Sequence, residues 1–266
     1  GIQVKQIFKK QPSSREETDW KNCPQCKKIS YKPDLFDNSY ICECSFHFDW
    51  PPKLRLNNLF DSTYEIINAP DNINPDPLNF EVKSEIKSYK YSDKIKSYRK
   101  ATGQKTALLC AAGKVSNLNA VVVCFNPKFG AGRFGPAENE HFLKAANFAV
   151  QKKVDIWIVV YQSSGIDVHT GVTGLAGMTK SIIAMNEIKK NNIPTFCVAA
   201  RATAGGTYAS SFFMHDFIIV ESKCVENLLF SGKRVTANIL KGTDQIPDDF
   251  GTAPGVMKSG LADITL

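Results

Sequence analysis

Long hydrophobic runs are absent from this chain of 266 residues. Its apolar stretches all fall short of the roughly 18 residues that a membrane-spanning helix needs. The first ten residues are polar and basic, and they lack the apolar core of a secretory signal. These absences argue against a membrane protein and predict a cytoplasmic one.

Motifs of the common nucleophilic and phosphate-binding enzymes are missing as well. The sequence contains no convincing Ser-His-Asp set and no Walker-type phosphate loop. Asp167 and His169 follow a turn at Ser163-Ser164-Gly165, and they are interpreted either as a base and a proton shuttle or as solvated loop residues. Side chains suited to covalent or acid–base catalysis are therefore scarce in this chain.

Basic residues are in excess, with 33 lysines and arginines against 26 aspartates and glutamates and a formal net charge of +7. Such a balance favours an anionic partner, which is a nucleic acid, the phosphates of a cofactor or an acidic protein. The alternative interpretation is a basic surface that serves solubility alone.

The eight cysteines fall into two groups. A disulfide framework is typical of short secreted chains, and this chain is long. Four cysteines crowd near the start, whereas Cys110, Cys124, Cys197 and Cys224 are scattered through apolar segments, where free cysteine acts as a small buried hydrophobe. The distribution predicts metal binding in a reducing compartment.

The crowded group has the spacing of a zinc ribbon. Cys23 and Cys26 supply two thiolates from one tight turn, and Cys42 and Cys44 supply a second pair. Residues 29–31 and 40–41 are predicted to form the arms of a hairpin that brings the two pairs together. A site with four protein ligands leaves no open position for a substrate, so the zinc is expected to be structural.

Two alternatives stay open at the ribbon. The second pair has one intervening residue where two are usual, so His47 is an alternative to Cys44 as the fourth ligand. Four buried free cysteines without metal are the other alternative. Nucleic-acid binding by the ribbon has weak support from charge alone, through the nearby Lys21, Lys27, Lys28 and Lys32.

Four regions follow one another along the chain. Residues 1–20 are charged and unpatterned, which predicts a loose basic arm, and residues 21–50 form the ribbon. Residues 51–105 are rich first in proline and asparagine and then in lysine and tyrosine, which predicts an irregular and partly helical connector. Regular patterning over residues 106–266 predicts one α/β domain.

A rhythm of strand, glycine turn and helix repeats through that domain, which favours parallel strands joined by crossover helices. Strands are predicted at 107–112, 119–125, 154–160, 195–200 and 217–220, and helices at 136–152 and from about 174 to 190.

The turn Thr203-Ala-Gly-Gly206 lies between a predicted strand and a helix. Glycine lets the backbone turn sharply there, and the N–H groups at the helix start then point into a cleft. Two such groups at Gly205 and Gly206 can hold an oxyanion, for instance the enolate of a thioester. A plain strand-to-helix turn is the alternative.

These features together resemble one family, the carboxyltransferase β subunit of bacterial and plastid acetyl-CoA carboxylase. The resemblance runs from about residue 21 to the end of the chain. It is carried by the following stretches: Cys23-Pro-Gln-Cys26, Tyr98 with Thr102-Gly103 and Ala107, Phe129-Gly-Ala-Gly-Arg-Phe-Gly135, Met178-Thr-Lys180 with Ile193-Pro194, Thr203-Ala-Gly-Gly206 with Ala209-Ser210, Ser231-Gly-Lys-Arg-Val235 and Lys258-Ser-Gly-Leu-Ala-Asp263.

The resemblance implies a crotonase-like (ClpP/crotonase) core of repeated ββα units behind the zinc ribbon. It implies transfer of a carboxyl group from carboxybiotin to acetyl-CoA or a related acyl-CoA, giving malonyl-CoA through an enolate. Biotin is expected on a separate carrier protein, and an α-type subunit is expected as partner in a heterotetramer. The plastid branch of the family adds the stroma to the expected locations.

It also implies roles for particular residues. Gly205 and Gly206 are expected to form the oxyanion hole, while Gly165 and Gly132 shape the pocket. Arg99, Lys105 and Arg133 are expected to meet the phosphates of CoA.

Two loops depart from the family pattern. Where the family has Ser-Gly-Gly-Ala-Arg, this chain has Ser163-Ser-Gly-Ile-Asp167, and the family's Gly-Gly-Ser is here Ala131-Gly-Arg133. Loss of an arginine from a site that handles a CoA ester favours two further hypotheses. One is a decarboxylase or hydrolase of CoA or carrier thioesters, and the other is an inactive scaffold subunit.

Overall fold

A computed structural model describes residues 19–221, 228–240 and 246–266. Most of the predicted basic arm and Cys224 lie outside the described residues. Among the described helices, none is both long and apolar enough to cross a membrane.

The described chain forms a small N-terminal ribbon and a large mixed sheet flanked by helices. The strands are β1 Trp20–Asn22, β2 Ile29–Tyr31, β3 Glu65–Ile67, β4 Glu81–Lys83, β5 Ser88–Lys90, β6 Leu108–Val115, β7 Leu118–Phe125, β8 Ile156–Ser163, β9 Thr195–Ala204, β10 Phe217–Val220, β11 Leu228–Leu229 and β12 Ile264–Thr265. The helices are α1 Lys32–Asp37, α2 Pro52–Leu59, α3 Tyr91–Thr102, α4 Pro136–Lys152, α5 Gly171–Lys190, α6 Gly205–Ala209, α7 Lys233–Ile239 and α8 Ala253–Lys258.

The ribbon differs from the predicted hairpin. Strand β2 pairs antiparallel with β1 rather than with residues 40–41. The predicted hairpin is wrong because Lys32 and Pro33 begin a helix, where proline at the first turn costs no hydrogen bond. The chain therefore returns over α1, and a single bridge between Ile41 and His47 holds the turn of the second cysteine pair.

The large sheet has the order β12-β10-β9-β8-β7-β6-β3, with β11 beside the end of β9. Strands β6 and β7 form an antiparallel hairpin, and β7, β8, β9 and β10 run parallel. Strand β3, from the segment between the ribbon and residue 106, adds an edge antiparallel to β6. The boundaries at 50 and 105 stay a prediction.

The central strands are buried on both faces, as expected for parallel strands covered by helices. On one face of β8, Trp157, Val159 and Tyr161 pack in the cluster that contains the buried sides of α4 and α5. On the other face, Ile158 and Val160 pack with Leu56 and Phe60 in and beside α2. Because β7, β8 and β9 run parallel, their carboxyl ends lie along one edge of the sheet.

Candidate functional site

Three glycine turns meet at that edge, one after each of the parallel strands β7, β8 and β9. We call them the first turn (129–135), the second turn (163–167) and the third turn (203–206). The carboxyl edge of a parallel sheet is where α/β proteins place their ligands.

Backbone hydrogen bonds join the first turn to the second. The N–H of Ser164 donates to the carbonyl of Ala131 at 2.9 Å, and the N–H of Phe134 donates to the carbonyl of Gly165 at 3.0 Å. Gly132 has φ of 67°, and a Cβ there would lie 1.8 Å from the carbonyl oxygen of Gln162. Only glycine fits this close approach, so Gly132 sets the spacing of the two turns.

The second turn packs on the third. Gly165 has φ of 109°, and a Cβ there would lie 2.9 Å from the carbonyl oxygen of Ala204 and 3.3 Å from the Cα of Gly205. Gly206 packs on Ile166, whose Cγ1 would lie 2.4 Å from an added Cβ. The structure therefore brings Gly132, Gly165, Gly205 and Gly206 into one contiguous patch.

The glycines differ in what their N–H groups do. The N–H of Gly165 donates to the hydroxyl of Ser163 at 3.1 Å, and that hydroxyl lies 3.2 Å from the hydroxyl of Thr207. Gly205 and Gly206 begin α6, a helix of five residues. N–H groups in the first turn of a helix lack intrahelical acceptors. The N–H groups of Gly205 and Gly206 are therefore candidates for holding an oxyanion, whereas the N–H of Gly165 already has an acceptor.

Arg133 lies in the first turn but is buried rather than exposed. Its Nη1 lies 2.8 Å from Oδ2 of Asp167, and its Nη2 lies 3.2 Å from Oε2 of Glu138. The hydroxyl of Tyr91 contacts Nη1 and donates to Asp167 at 2.7 Å. We call Arg133, Asp167, Glu138 and Tyr91 the buried charge cluster. The guanidinium faces these partners, so the structure does not place it as a phosphate ligand.

Asp167 also holds His169. The carboxylate accepts hydrogen bonds from the backbone N–H of His169 at 3.2 Å and lies 2.9 Å from its Nδ1. The imidazole stacks on Tyr91 with ring centroids 4.1 Å apart. These contacts place His169 beside β4 and β5, which pair antiparallel in a separate two-stranded sheet, and its Nε2 lies 3.5 Å from the hydroxyl of Tyr89.

Sequence reasoning missed Tyr91 and Glu138. Glu138 accepts hydrogen bonds from the N–H of Gly135 at 3.0 Å and of Ala107 at 2.9 Å. An acidic residue at the third position of a helix that reaches back to the preceding N–H is a capping signal, so Glu138 was detectable in principle. Tyr91 comes from α3, and no local pattern links it to the first turn.

Arg99 and Lys105 lie apart from the buried charge cluster and are exposed. Nε of Arg99 donates to the carbonyl of Lys105 at 3.1 Å, and Lys105 pairs with Asp71 at 2.8 Å. Lys105 lines a cavity of about 760 Å³ between the ribbon and the sheet. Asn126, Pro127 and Lys128, the three residues before the first turn, also line this cavity.

Positive charge gathers in this ribbon–sheet cavity. Among the described residues its charged lining consists of Lys21, Lys53, Lys105 and Lys128 and the carboxylate of Asp49, and Lys105 also pairs with Asp71. Burial lowers the pKa of Lys21; Asp49 opposes this, and the nearby charges of Lys128, Lys32 and Arg201 add to it. Mutual repulsion of ammonium groups at a cavity is relieved by a bound anion.

The cysteine cluster has the geometry of a tetrahedral metal site. The Sγ atoms of Cys23 and Cys44 lie 3.6 Å apart, those of Cys26 and Cys42 lie 3.7 Å apart, and all four lie within 4.8 Å of one another. Zinc–sulfur bonds of about 2.3 Å at tetrahedral angles require sulfur atoms about 3.8 Å apart. Cys44 is thus the fourth member of this cluster, and His47 is outside it.

Electrostatics at the cluster favour a thiolate at Cys23. Burial acts to raise the pKa of this thiol, but hydrogen bonds from the backbone of Cys26 and Gln25 and from neighbouring thiols lower it to about 7. Burial raises the pKa of Cys44 to about 12 in the absence of a metal charge. Thiolate is the form that binds zinc, and a bound cation stabilises it at every ligand.

Comparison with known proteins fits this arrangement. Residues 81–266 match the family model described as "Carboxyl transferase domain". The chain is 30% identical over 268 residues to the acetyl-coenzyme A carboxylase carboxyl transferase subunit beta of Pelagibacter ubique, covering 99% of this chain and 82% of that protein. It is 31% identical over 257 residues to the corresponding subunit of a Hydrogenobaculum species, covering 95% and 88%.

The chain therefore belongs to the carboxyl transferase family. Within that family its place is among the β subunits of acetyl-CoA carboxylase carboxyltransferase.

Solved structures support the fold. Transcarboxylase 12S is similar with a TM-score of 0.62 at 19% identity, over 82% of this chain and 38% of that one. A Pseudomonas malonate decarboxylase hetero-tetramer is similar with a TM-score of 0.60 at 16% identity, over 82% of this chain and 76% of that one. The expectation of a crotonase-like core is confirmed.

Proposed function

We propose that the chain is the β-type subunit of a biotin-dependent acyl-CoA carboxyltransferase. It transfers a carboxyl group from carboxybiotin to acetyl-CoA or a related acyl-CoA, and the product from acetyl-CoA is malonyl-CoA. The observation that carries the proposal is the contact of the second turn with the third, which presents the start of α6 at the carboxyl edge of the sheet.

The role of the chain is to bind and polarise the thioester. The N–H groups of Gly205 and Gly206 hold the thioester oxygen and stabilise the negative charge that grows on it when the enolate forms. Gly165 and Gly132 keep the backbone close enough for the turns to pack. Biotin, on a separate carrier protein, supplies the carboxyl group.

The ribbon–sheet cavity supplies a place for the phosphates of CoA. Its four lysines present positive charge next to the first turn, and Lys105 is the predicted phosphate ligand that lines it. Arg99 lies beside Lys105 through its hydrogen bond to the Lys105 carbonyl. Arg133 has a different role because its charge is used inside the protein.

The ribbon holds one structural zinc ion through Cys23, Cys26, Cys42 and Cys44. The chemistry of the donor set and the sulfur–sulfur distances support this assignment. Nucleic-acid binding by the ribbon has less support, because Lys28 pairs with Glu43 and Lys27 donates to the carbonyl of Pro24.

An α-type subunit completes the proposed enzyme, in a heterotetramer that works in the cytoplasm or the plastid stroma. A relative from Natranaerobius thermophilus named as subunits beta/alpha supports the pairing; it is 29% identical over 245 residues, and the match covers 38% of its length. A carrier protein with biotin and an acyl-CoA are the further partners.

The test uses the full chain co-purified with its α-type subunit. Conversion of malonyl-CoA to acetyl-CoA that depends on an added biotin analogue is the expected result. Gly205→Ala disturbs a backbone with φ of 61° at the oxyanion position, and we expect the rate to fall roughly 10²-fold. Gly260→Ala is the matched control, because Gly260 has φ of 70° and nothing lies within 4 Å of an added Cβ.

Other outcomes distinguish the alternatives. Turnover of malonyl-CoA without the biotin analogue would establish a decarboxylase or hydrolase instead. A complex that forms but turns over no thioester would establish a scaffold subunit.

A further inference from the structure

Two loop residues whose charge differs from what the resemblance leads us to expect touch each other. Arg133 comes from the first turn and Asp167 from the second, and Nη1 of Arg133 lies 2.8 Å from Oδ2 of Asp167. Both side chains are at least 96% buried, with exposed fractions of 4% and 3%. We propose that Arg133 and Asp167 form a positioning pair that sets the second glycine turn against the oxyanion turn.

Burial makes the two charges depend on each other. Asp167 accepts hydrogen bonds from Tyr91 and His169 as well as from Arg133, so its carboxylate is fully engaged away from water. Arg133 bridges Asp167 to Glu138, which is itself fully buried. When one partner of such a pair is removed, an uncompensated charge stays in the interior, which is far more disruptive than the removal of both.

The position of the pair connects it to the glycine patch. Phe134 donates to the carbonyl of Gly165, and the N–H of Asp167 donates to the carbonyl of Phe134 at 3.2 Å. The ion pair and these two hydrogen bonds span the same gap between the first and second turns. Gly165 in turn packs on Gly205. A shift of Asp167 therefore moves Gly165 against the backbone that carries the oxyanion donors.

Relative to the residues that the resemblance leads us to expect, the buried charge cluster keeps one guanidinium group but takes it from a different turn. The resemblance leads us to expect a serine at 133 and an arginine at 167, and here the arginine comes from the opposite turn. Both carboxylates adjoin Gly135, because a Cβ there would lie 3.1 Å from Oε2 of Glu138 and 3.3 Å from Oδ2 of Asp167. A long side chain at 167 can therefore reach Glu138, so either turn can supply the charge.

The effect of the pair on catalysis rests on the proposed function, but its effect on the turns does not. The experiment compares Arg133→Ser, Asp167→Arg and the double variant in the full chain with its α-type subunit. Either single change leaves like charges together, with two carboxylates in the first case and two guanidinium groups beside Glu138 in the second. The double change leaves one guanidinium to pair with Glu138.

We expect each single variant to lose roughly 10²-fold in kcat, as displacement of reacting groups by about 1 Å does, with a smaller change in KM for malonyl-CoA. We expect the double variant to recover most of that loss. Hydrogen exchange at residues 130–135 and 163–167 should be faster in each single variant and return towards the parent in the double. This second readout requires no carboxyl transfer.

The outcomes separate the two proposals. If exchange is faster in each single variant and returns towards the parent in the double variant, the pair is supported even in a complex without activity. The absence of activity in that complex would reject the carboxyltransferase function. Additive losses in the double variant, or single variants that match the parent in both readouts, reject the pair. If a single variant fails to fold, recovery of folding in the double supports the pair, and a double variant that also fails rejects it.

Discussion

The ribbon and the sheet are held together by different means. The ribbon encloses a small cluster of buried residues, Cys23, Leu35, Tyr40, Cys42 and Phe48, and two of these belong to the four-cysteine cluster. The sheet is covered on both faces, and its buried cysteines, Cys110, Cys124 and Cys197, lie among apolar side chains and outside the four-cysteine cluster. The comparison teaches that the same residue type is gathered in one region, where the four Sγ atoms lie at metal-site distances, and dispersed in the other, where each thiol packs as an ordinary apolar side chain.

Removal of the metal is expected to have the largest effect on this comparison. Structural zinc supplies about 10–16 kcal/mol of apparent binding free energy in small zinc modules. With a chelator, or in Cys26→Ser, we expect residues 19–50 to lose protection from hydrogen exchange while β7, β8 and β9 keep theirs. Cys110→Ala is the control, and it should still bind one zinc ion per chain. Equal loss of protection in the sheet would show that the two regions share one source of stability.

A backbone change in the sheet region ranks second. Gly132→Ala places a Cβ 1.8 Å from the carbonyl oxygen of Gln162, and we expect the free energy of unfolding to fall by at least about 4 kcal/mol. Gly103→Ala is matched in conformation, with φ of 68° and nothing within 4 Å, so only backbone strain of about 1–2 kcal/mol is expected. Denaturant unfolding of both variants measures the difference. Similar losses would mean that the close approach of the first and second turns is not required.

Acid is expected to weaken the sheet by a smaller amount through His215. Its Nε2 accepts a hydrogen bond from the indole of Trp157 at 3.3 Å, and its Nδ1 lies 3.1 Å from the carbonyl of Phe212. Both nitrogens of the neutral ring therefore have hydrogen-bond partners, and protonation of Nε2 would break the bond from Trp157. Burial lowers the pKa of His215 to about 4, against its ordinary value of 6.5. Between these two values the unfolded chain binds a proton that the folded chain excludes.

Stability should therefore be complete above about pH 6.5 and fall by up to about 3 kcal/mol as the pH drops to about 4. The measurement is denaturant unfolding of the zinc-loaded protein across this range, followed by hydrogen exchange in β8. His215→Gln keeps an acceptor for Trp157 and should remove this part of the pH dependence. An unchanged slope in that variant would assign the acid sensitivity to other groups, such as the cysteine cluster or His141, whose pKa burial also lowers.

Sequence reasoning was most accurate where local signals agreed. Helix α4 has the predicted limits, because Pro136 opens it and Phe142, Ala145 and Ala149 lie on one buried face. Strand β9 runs beyond the predicted end at residue 200, through Arg201 to Ala204, because β11 pairs with its end. That pairing comes from residues distant in the chain, and nothing near residue 200 indicates it.

The candidate site shows the same division. The glycines were predicted correctly as turn residues, because few other residues adopt the backbone conformations of a sharp turn after a buried strand. The contact between Arg133 and Asp167 was missed because it joins two turns that only the folded sheet brings together. A lysine-lined cavity between the ribbon and the sheet is likewise a product of tertiary packing.

Strand β3 carries a practical consequence for anyone who trims this protein. It covers the outer edge of β6, and Arg55 on the same segment makes a 2.6 Å ion pair with Glu221 beyond β10. A shortened chain that starts after residue 67 would lack both β3 and Arg55. It would leave the outer edge of β6 unpaired, and an unpaired strand edge is a template for aggregation. Expression of the catalytic half without the ribbon should therefore start near residue 51, so that the edge strand and its arginine stay in place.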